Sequence, residues 1–305
     1  MTRVLRPDDP DYPFRLRDLS DSPSPVYLEG PWDHDGPIVA IVGSRNPTSI
    51  GVDFTRALAA DLAREGAAVV SGLARGIDGA AHEGALSEGG RSGAVLGTPL
   101  DKVYPPEHRE LHERLAGSLG LMSELPPGAH ATRATFASRN RMIAALAHAV
   151  VLVQGDGRSG ALLTARAAAA IGRPVGAVPW AAWDPLGEAP HALIRDRAAV
   201  LVRHAADVLE LAGETPSLAL TRATALALRR AGGGDEFPEV RRSGAPPAAE
   251  QRVLAGLTRY PEPVDLVASR AALTAAETSA ALLALELAGL CRREPGGRYR
   301  LARGA

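Results

Sequence analysis

The run 133-RATFASRNRMIAALAHAVVLVQGDGRSGALLTARAAAAIGRPVGAVP-179 decides the fold. Val150-Val151-Leu152-Val153 is a short, continuous apolar run, the pattern of a strand covered on both faces. Gly155-Asp156-Gly157-Arg158-Ser159-Gly160 follows, and then a helix rich in Ala and Leu over 161–171. The stretch reads as helix, strand, glycine-rich turn, helix, strand. A strand that feeds a helix through glycines and a serine leaves backbone N–H groups free where the helix dipole favours an anion, which makes a phosphate seat.

Local charge sharpens this reading. Arg133, Arg139, Arg141, Arg158 and Arg166 are opposed within the run only by Asp156, and Phe136 sits among them in a chain that is 4% aromatic. Arginines interleaved with a ring suit a nucleic-acid strand, the cations taking phosphates and the ring a base face. An amphipathic helix with a solvated arginine face and a core Phe accounts for the same residues equally well.

Working outward, the same alternation recurs. Strands are expected over 37–42, 67–70, 92–96, 120–123 and 198–202, with helices over 51–64, 79–86, 107–115 and up to about 211. Strands alternating with helices at this spacing predict an α/β fold with a doubly wound, mostly parallel sheet. Its ligand would lie beyond the carboxyl ends of the strands, where Gly43 to Asn46, Ser71 to Asp78, Gly97, Thr98, Glu124 and Gly155 to Gly160 all fall. Residues 1–35 are a polar, proline-rich lead, expected as a short helix and an extended arm lying on the domain of 36–212. A linker-like tract, 213–247, carries Gly232-Gly233-Gly234 and Ala245-Pro246-Pro247. Residues 248–305 read as three short helices closed by a hairpin, a winged helix.

The whole chain sets bounds. With 305 residues and 46% apolar content it holds a sizeable core in about two domains. It shows neither a membrane-spanning run nor a signal peptide. A lone Cys291 forms no internal disulfide, so a reducing, cytoplasmic setting is expected. A net charge of −1 argues against indiscriminate coating of nucleic acid, so any contact must be local. Of 34 basic residues only Lys102 is a lysine; arginine forks onto phosphate or stacks on a base.

Several chemistries are disfavoured. Gly43-Ser44-Arg45 lacks the GxGxxG spacing, and no GxxxxGK[ST] loop is present. Arg45 is instead read as a cation at the dipole-positive end of the following helix. Arg75, Asp78 and His82 share a helix face if that helix begins by Arg75, and Asp78 and His82 are read as cap and internal hydrogen-bonding groups rather than catalysts. No histidine spacing suggests a metal site. In the small domain the helix in the recognition position carries Glu277 and Glu286 but no cation, which suits a protein contact better than a major groove.

Long motifs in a fixed order, YPFRLRDLSDSPSPVYLEG, IVAIVGSRNPTSIG, VVSGLARGIDGAAH, AVLGTPLDKVYPPEH, LMSELPPG, FASRNRMIAALAHAVVLVQ and SGALLTARAAAAIGRPVGAVP, resemble the DprA (Smf) family of natural transformation. LLALELAGLCRREPGGRYRL likewise resembles that family's winged helix. The resemblance implies a homodimeric, extended Rossmann-like protein without turnover or cofactor that binds single-stranded DNA, delivers it to RecA and helps displace single-strand-binding protein. Its DNA pocket would use Gly43, Ser44, Arg45, Arg133, Phe136, Asn140, Arg141, Ser159 and Gly160. Longer members carry a substantial N-terminal helical domain, where about 35 residues precede the first strand here, and His191 stands where relatives often carry Asn. The competing readings are a nucleotide-phosphate hydrolase resembling lysine-decarboxylase-like enzymes, with Glu124 as base, and a small-ligand sensor using the winged helix as a transcriptional reader. The hydrolases' PGGxGTxxE segment is missing, and the acidic recognition helix weighs against the sensor.

Overall fold

The computed structural model of the chain describes residues 2–213, 248–257, 262–287, 290–294 and 298–301. It divides into two compact units, Met1–Gly234 and Asp235–Ala305. The linker expected over 213–247 lies, from residue 214, outside the described residues.

In the first unit, strands β1 (Arg3–Leu5), β2 (Val26–Glu29), β3 (Ile38–Val42), β4 (Ala68–Ser71), β5 (Ser92–Leu96), β6 (Gly120–Ser123), β7 (Ala149–Leu152), β8 (Val175–Ala177) and β9 (Val200–Leu201) form one sheet. Their order is β1-β2-β6-β5-β4-β3-β7-β8-β9, with β3 to β9 paired in parallel. From β3 the chain winds one way through β4, β5 and β6, then crosses back to β7 and winds the other way. The strand order therefore reverses between β3 and β7, and a crevice is expected beyond their carboxyl ends.

Side-chain alternation along β3 shows why the sheet needs cover on both faces. Val39 and Ile41 pack with Leu58 and Leu62 of α1 (Ser49–Arg64) and with Ile77 and Ala81 of α2 (Ile77–Ser87). Ala40 and Val42 face the opposite layer, with Met142, Ile143 and Leu146 of α4 (Arg133–Leu146) and Leu162 and Ala165 of α5 (Ala161–Ala170). Each fully buried Leu or Ile contributes about 1.5–3 kcal/mol over an exposed one. A smaller cluster beneath α3 (Arg109–Ala116) joins Leu111 and Leu115 to Leu96 and Leu121. Helices α6 (Glu188–Arg195) and α7 (Ala205–Leu211) complete the unit.

The first 35 residues do more than lie on the domain. Strand β2 pairs antiparallel with β6, Tyr27 opposite Ser123, and so becomes part of the sheet. The 3-10 turn Phe14–Asp18 buries Leu16 in the core beside Tyr12 and Leu19. The pairing links segments nearly a hundred residues apart, which local periodicity does not reveal.

His82 makes the internal hydrogen bond expected of it, but Asp78 is not the cap of α2, whose N-cap is Gly76 with no side-chain cap; it holds the preceding loop instead. The Asp78 carboxylate accepts from the Gly72 and Ala74 N–H groups at 3.1 and 3.4 Å. Arg75 lies outside α2 and pairs with Glu107. Ser92 Oγ donates to Val69 O, so it accepts from His82 Nδ1–H at 2.8 Å, leaving a buried His82 Nε2 with no partner. Protonating Nε2 would bury an unpaired charge, and burial pulls His82 from 6.5 down to about 3. The unfolded ring takes up a proton first as pH falls, so this contribution is whole above pH 6.5 and erodes below it. Between about pH 6.5 and 5 His82 alone costs up to about 1.4 kcal/mol per pH unit, and urea midpoints measured across that window in the parent and in His82→Gln check it.

The second unit consists of α8 (Ala248–Gly256), β10 (Glu262–Pro263), α9 (Val264–Ala271), α10 (Ala275–Leu287), β11 (Cys291–Glu294) and β12 (Arg298–Leu301). The strands form an antiparallel sheet ordered β10-β12-β11, so the expected hairpin is joined by a short third strand. Val253, Leu257, Val267, Leu282, Leu285 and Cys291 make its core. Burial pushes the Cys291 thiol up to about 11, an inert state at neutral pH.

Candidate nucleic-acid interface

The crevice at the β3/β7 reversal is a cavity of about 410 Å³ whose lining includes Gly43, Ser44, Arg45, Asn140, Ser159 and Gly160. Six of the nine residues anticipated for the site thus come together. On the β3 side the turn is pinned from within: Ser44 N–H donates to Gln154 O at 2.7 Å, and Ile77 N–H to Ser44 O at 3.1 Å. A Cβ at Gly43 would stand 2.7 Å from Ile77 Cγ1 and 2.9 Å from Gln154 O, so only glycine lets the two strand ends close. Helix α1 is capped by Thr48, whose hydroxyl accepts from Gly51 N–H, rather than by the Gly43 to Arg45 turn. Arg45 is therefore placed by its neighbours and not by the helix terminus.

Those neighbours are aromatic. The Arg45 guanidinium lies over the Phe136 ring at 6.0 Å, and Tyr104 meets the same ring with centroids 5.4 Å apart, tilted by 59°. Phe136 is half-buried and Tyr104 is 44% exposed. A Cβ at Gly97 would fall 2.5 Å from Phe136 Cδ1, so this ring rests directly on the backbone at the end of β5. Thr132 and Thr135 form a reciprocal capping box, and Thr135 Oγ1 also donates to Gly97 O at 2.8 Å, docking the start of α4 there. The alternative of a solvated arginine face with a core Phe does not hold for this helix: Phe136 is only half-buried, and its arginines have three separate fates.

Arg133, the first residue of α4, is exposed and makes no ion pair among the described residues. Arg139 is buried, 4% exposed, and donates through Nη1 to Val95 O at 2.9 Å. Arg141 pairs with Glu124 and donates to Asp21 O at 2.8 Å. Arg133, Phe136 and Arg141 do not line the crevice itself; Phe136 borders it through Arg45. The ion pair also ties up Glu124, the base that the hydrolase reading needs. We expect Arg141→Ala to cost about 1.5–3 kcal/mol of stability, the range for a hydrogen-bonded charge, while the salt dependence of DNA binding keeps the parent slope. Urea unfolding and titrations at several salt concentrations separate the two effects.

On the β7 side the phosphate seat is narrower than the sequence implies. Gly157 N–H donates to the Glu188 carboxylate, Arg158 N–H to Asp156 Oδ1 and Ser159 N–H to Asp156 O, each at 2.9 to 3.0 Å. Two carboxylates and one main-chain carbonyl thus take donors that would otherwise face an anion. Asn140 Nδ2 donates to Gly160 O at 3.3 Å and ties α4 to the start of α5. The positive character of this edge then rests on the side chains of Arg45, Arg133 and Arg158. Among the described residues no group of three His, Cys, Asp or Glu is placed to hold a metal ion, and no helix is long and apolar enough to cross a membrane.

A doubly wound sheet with an arginine- and aromatic-bearing crevice at its reversal, in a chain that also has a small unit of helices and a hairpin, defines a Rossmann-like protein with a winged-helix module. The family model for DNA recombination-mediator protein A matches residues 3–213, and the DprA winged helix domain matches 238–297. The chain belongs to the DprA/Smf family. Protein Smf of Synechocystis is 36% identical over 97% of this chain and 79% of its own length, and Protein Smf of Escherichia coli 36% over 98% and 78%. The X-ray structure of DprA from Streptococcus pneumoniae superposes with a TM-score of 0.65 at 35% identity, over 68% of this chain and 73% of that one. A Helicobacter pylori DprA structure, described for its single-stranded DNA binding mode, gives 0.61 at 27% identity, over 69% and 94%.

Proposed function

We propose that this protein binds single-stranded DNA along the carboxyl edge of its sheet and, as a cytosolic homodimer, passes the strand to RecA during natural transformation while helping to displace single-strand-binding protein. The observation that carries the reading is the Arg45, Phe136 and Tyr104 cluster beside the crevice. Partly exposed rings beside a cation offer any base a stacking face, and a flanking arginine, Arg133, offers a phosphate contact without sequence preference. Family membership supports the handover to RecA, and the work is binding rather than turnover. The winged helix is assigned a protein partner: α10 carries no cation, and Glu277 is engaged in a cap, accepting from Thr274 N–H at 2.9 Å.

The test is a titration of fluorescent single- and double-stranded oligonucleotides at two salt concentrations, followed by RecA filament formation on strands coated with single-strand-binding protein. A salt-sensitive preference for the single strand and faster filament formation are expected. Absence of binding would defeat the DNA reading and equal affinity for the duplex its single-strand preference; single-strand binding without any effect on filament formation would defeat the handover alone.

A further inference from the structure

The segment around Tyr12 to Arg17, prominent in the sequence, takes no part in the crevice. It lies at the opposite edge of the sheet, where β3 and β7 begin, and a cavity of about 450 Å³ opens there between Phe14, Arg15, Trp32, Ile38, Leu146 and His148. His148 is locked by backbone pairing. Its N–H donates to Ile38 O at 2.7 Å, and Ile38 N–H donates to its Nδ1 at 2.9 Å. A backbone N–H can only donate, so Nδ1 holds the lone pair and the ring hydrogen sits on Nε2.

Nε2–H is in contact with Nη2 of Arg15, a group that also only donates. Two donors turned on one another satisfy neither. A second ring proton makes matters worse, since it would face the Ile38 N–H; burial first, and then Arg15, bring His148 from 6.5 down to about 4. Among the described residues Arg15 has no carboxylate at ion-pair distance; Asp18, three residues on, pairs with Arg173 and favours the Arg15 charge only from a distance. Burial and the nearby Arg173 both disfavour the charge on Arg15.

We infer that Arg15 and His148 form a carboxylate-binding site for a ligand whose apolar group packs against Phe14, Trp32 and Leu146. An oxygen seated beside both nitrogens accepts a charge-assisted hydrogen bond from each and resolves their conflict. The apolar walls take the rest of the molecule. Asp11 and Asp35 at the rim, both exposed, and Asp18 close by repel a polyanion, so a single carboxylate fits better than a nucleic-acid backbone. The same chemistry is presented by a free apolar acid and by the C-terminus of a protein chain that ends in an apolar residue.

The experiment follows the His148 ring resonances of the full chain during titration with N-acetyl-phenylalanine, with its amide, and with a short peptide ending in phenylalanine. N-acetyl-phenylalanine is expected to shift them saturably, with the amide and the Arg15→Gln variant each weaker by about tenfold or more, the worth of one charged hydrogen bond. A peptide that binds about tenfold tighter than the amino acid assigns the site to a protein C-terminus, and equal affinity assigns it to a small acid. Arg15 is partly exposed, so Arg15→Gln should keep the parent unfolding midpoint. No saturable shift, equal binding of acid and amide, full binding by Arg15→Gln, or displacement of the probe by a single-stranded oligonucleotide each overturns the inference. Loss of oligonucleotide binding at the crevice would leave this result untouched.

Discussion

Arg139→Ala is expected to cost about 1.5–3 kcal/mol of stability, the range for a hydrogen-bonded charge. Arg139 reaches from α4 under the crevice to Val95 O, and its charge acts from beyond ion-pair distance on the Asp78 carboxylate, which in turn holds the Gly72 and Ala74 N–H groups. There is no slack around it, since a Cβ at Gly72 would lie 1.4 Å from Arg139 Nη1. Burial lowers Arg139 to about 10 and raises Asp78, with each partner opposing the other's shift. Removing the arginine leaves a buried carboxylate with no cation near it, and its affinity for a proton rises further. A carboxyl raised in the folded state contributes stability below its unfolded value of 3.8 that is lost as pH climbs through the folded one. The deficit of Arg139→Ala against the parent should therefore be smallest in acid and grow toward neutral pH. Combining it with Asp78→Asn should recover part of the loss, because no charge then remains buried. Urea unfolding of the parent, both single variants and the double variant at pH 5 and 7.5 decides this; a flat deficit, or a double variant worse than the sum of its parts, would show that the two charges do not act on one another.

The fate of Arg139 marks where the sequence stops being readable. Continuous apolar runs and the glycines that end them announce each parallel strand of the centre, and the position of the crevice follows from strand order alone. The helix 133–146 carries a subtler signal: Arg139 is in register with Met142, Ile143 and Leu146, on the face that packs into the sheet. That periodicity could have set Arg139 apart from Arg133 on one helix. What no local pattern supplies is the partner, since Asp78 stands sixty-one residues earlier and is brought under α4 only by the sheet. Arg141 was equally opaque, because Glu124 and Asp21 reach it from β6's end and from the lead. Tyr104, absent from the residues anticipated, lies in the VYPPEH motif and meets Phe136 through the turn after β5. The acids on the phosphate seat came from both kinds of neighbour: Asp156 is in the loop itself, Glu188 arrives from α6.

Phe136→Ala is expected to weaken single-stranded DNA binding by about 1–3 kcal/mol, roughly 5- to 150-fold, with the salt slope unchanged. The reason is a division of labour at one edge. Phe136 stands on the backbone of Gly97 with Arg45 and Tyr104 both against the ring, so it is held in place before a base arrives. Arg45→Ala removes one cation and should flatten the slope of log affinity against log salt by about 1, with Arg133→Ala doing the same. Tyr104→Ala acts partly through Phe136, because a ring deprived of its neighbour samples other rotamers; the double variant should then lose less than the two singles added together. Gly97→Ala, which pushes Phe136 off its seat without deleting it, should reproduce most of the Phe136→Ala loss. Fluorescence titrations of these variants at three salt concentrations separate stacking from charge. If Phe136→Ala changed the slope and left affinity at high salt intact, the ring would be serving only to hold Arg45, and the strand's bases would lie elsewhere on this edge.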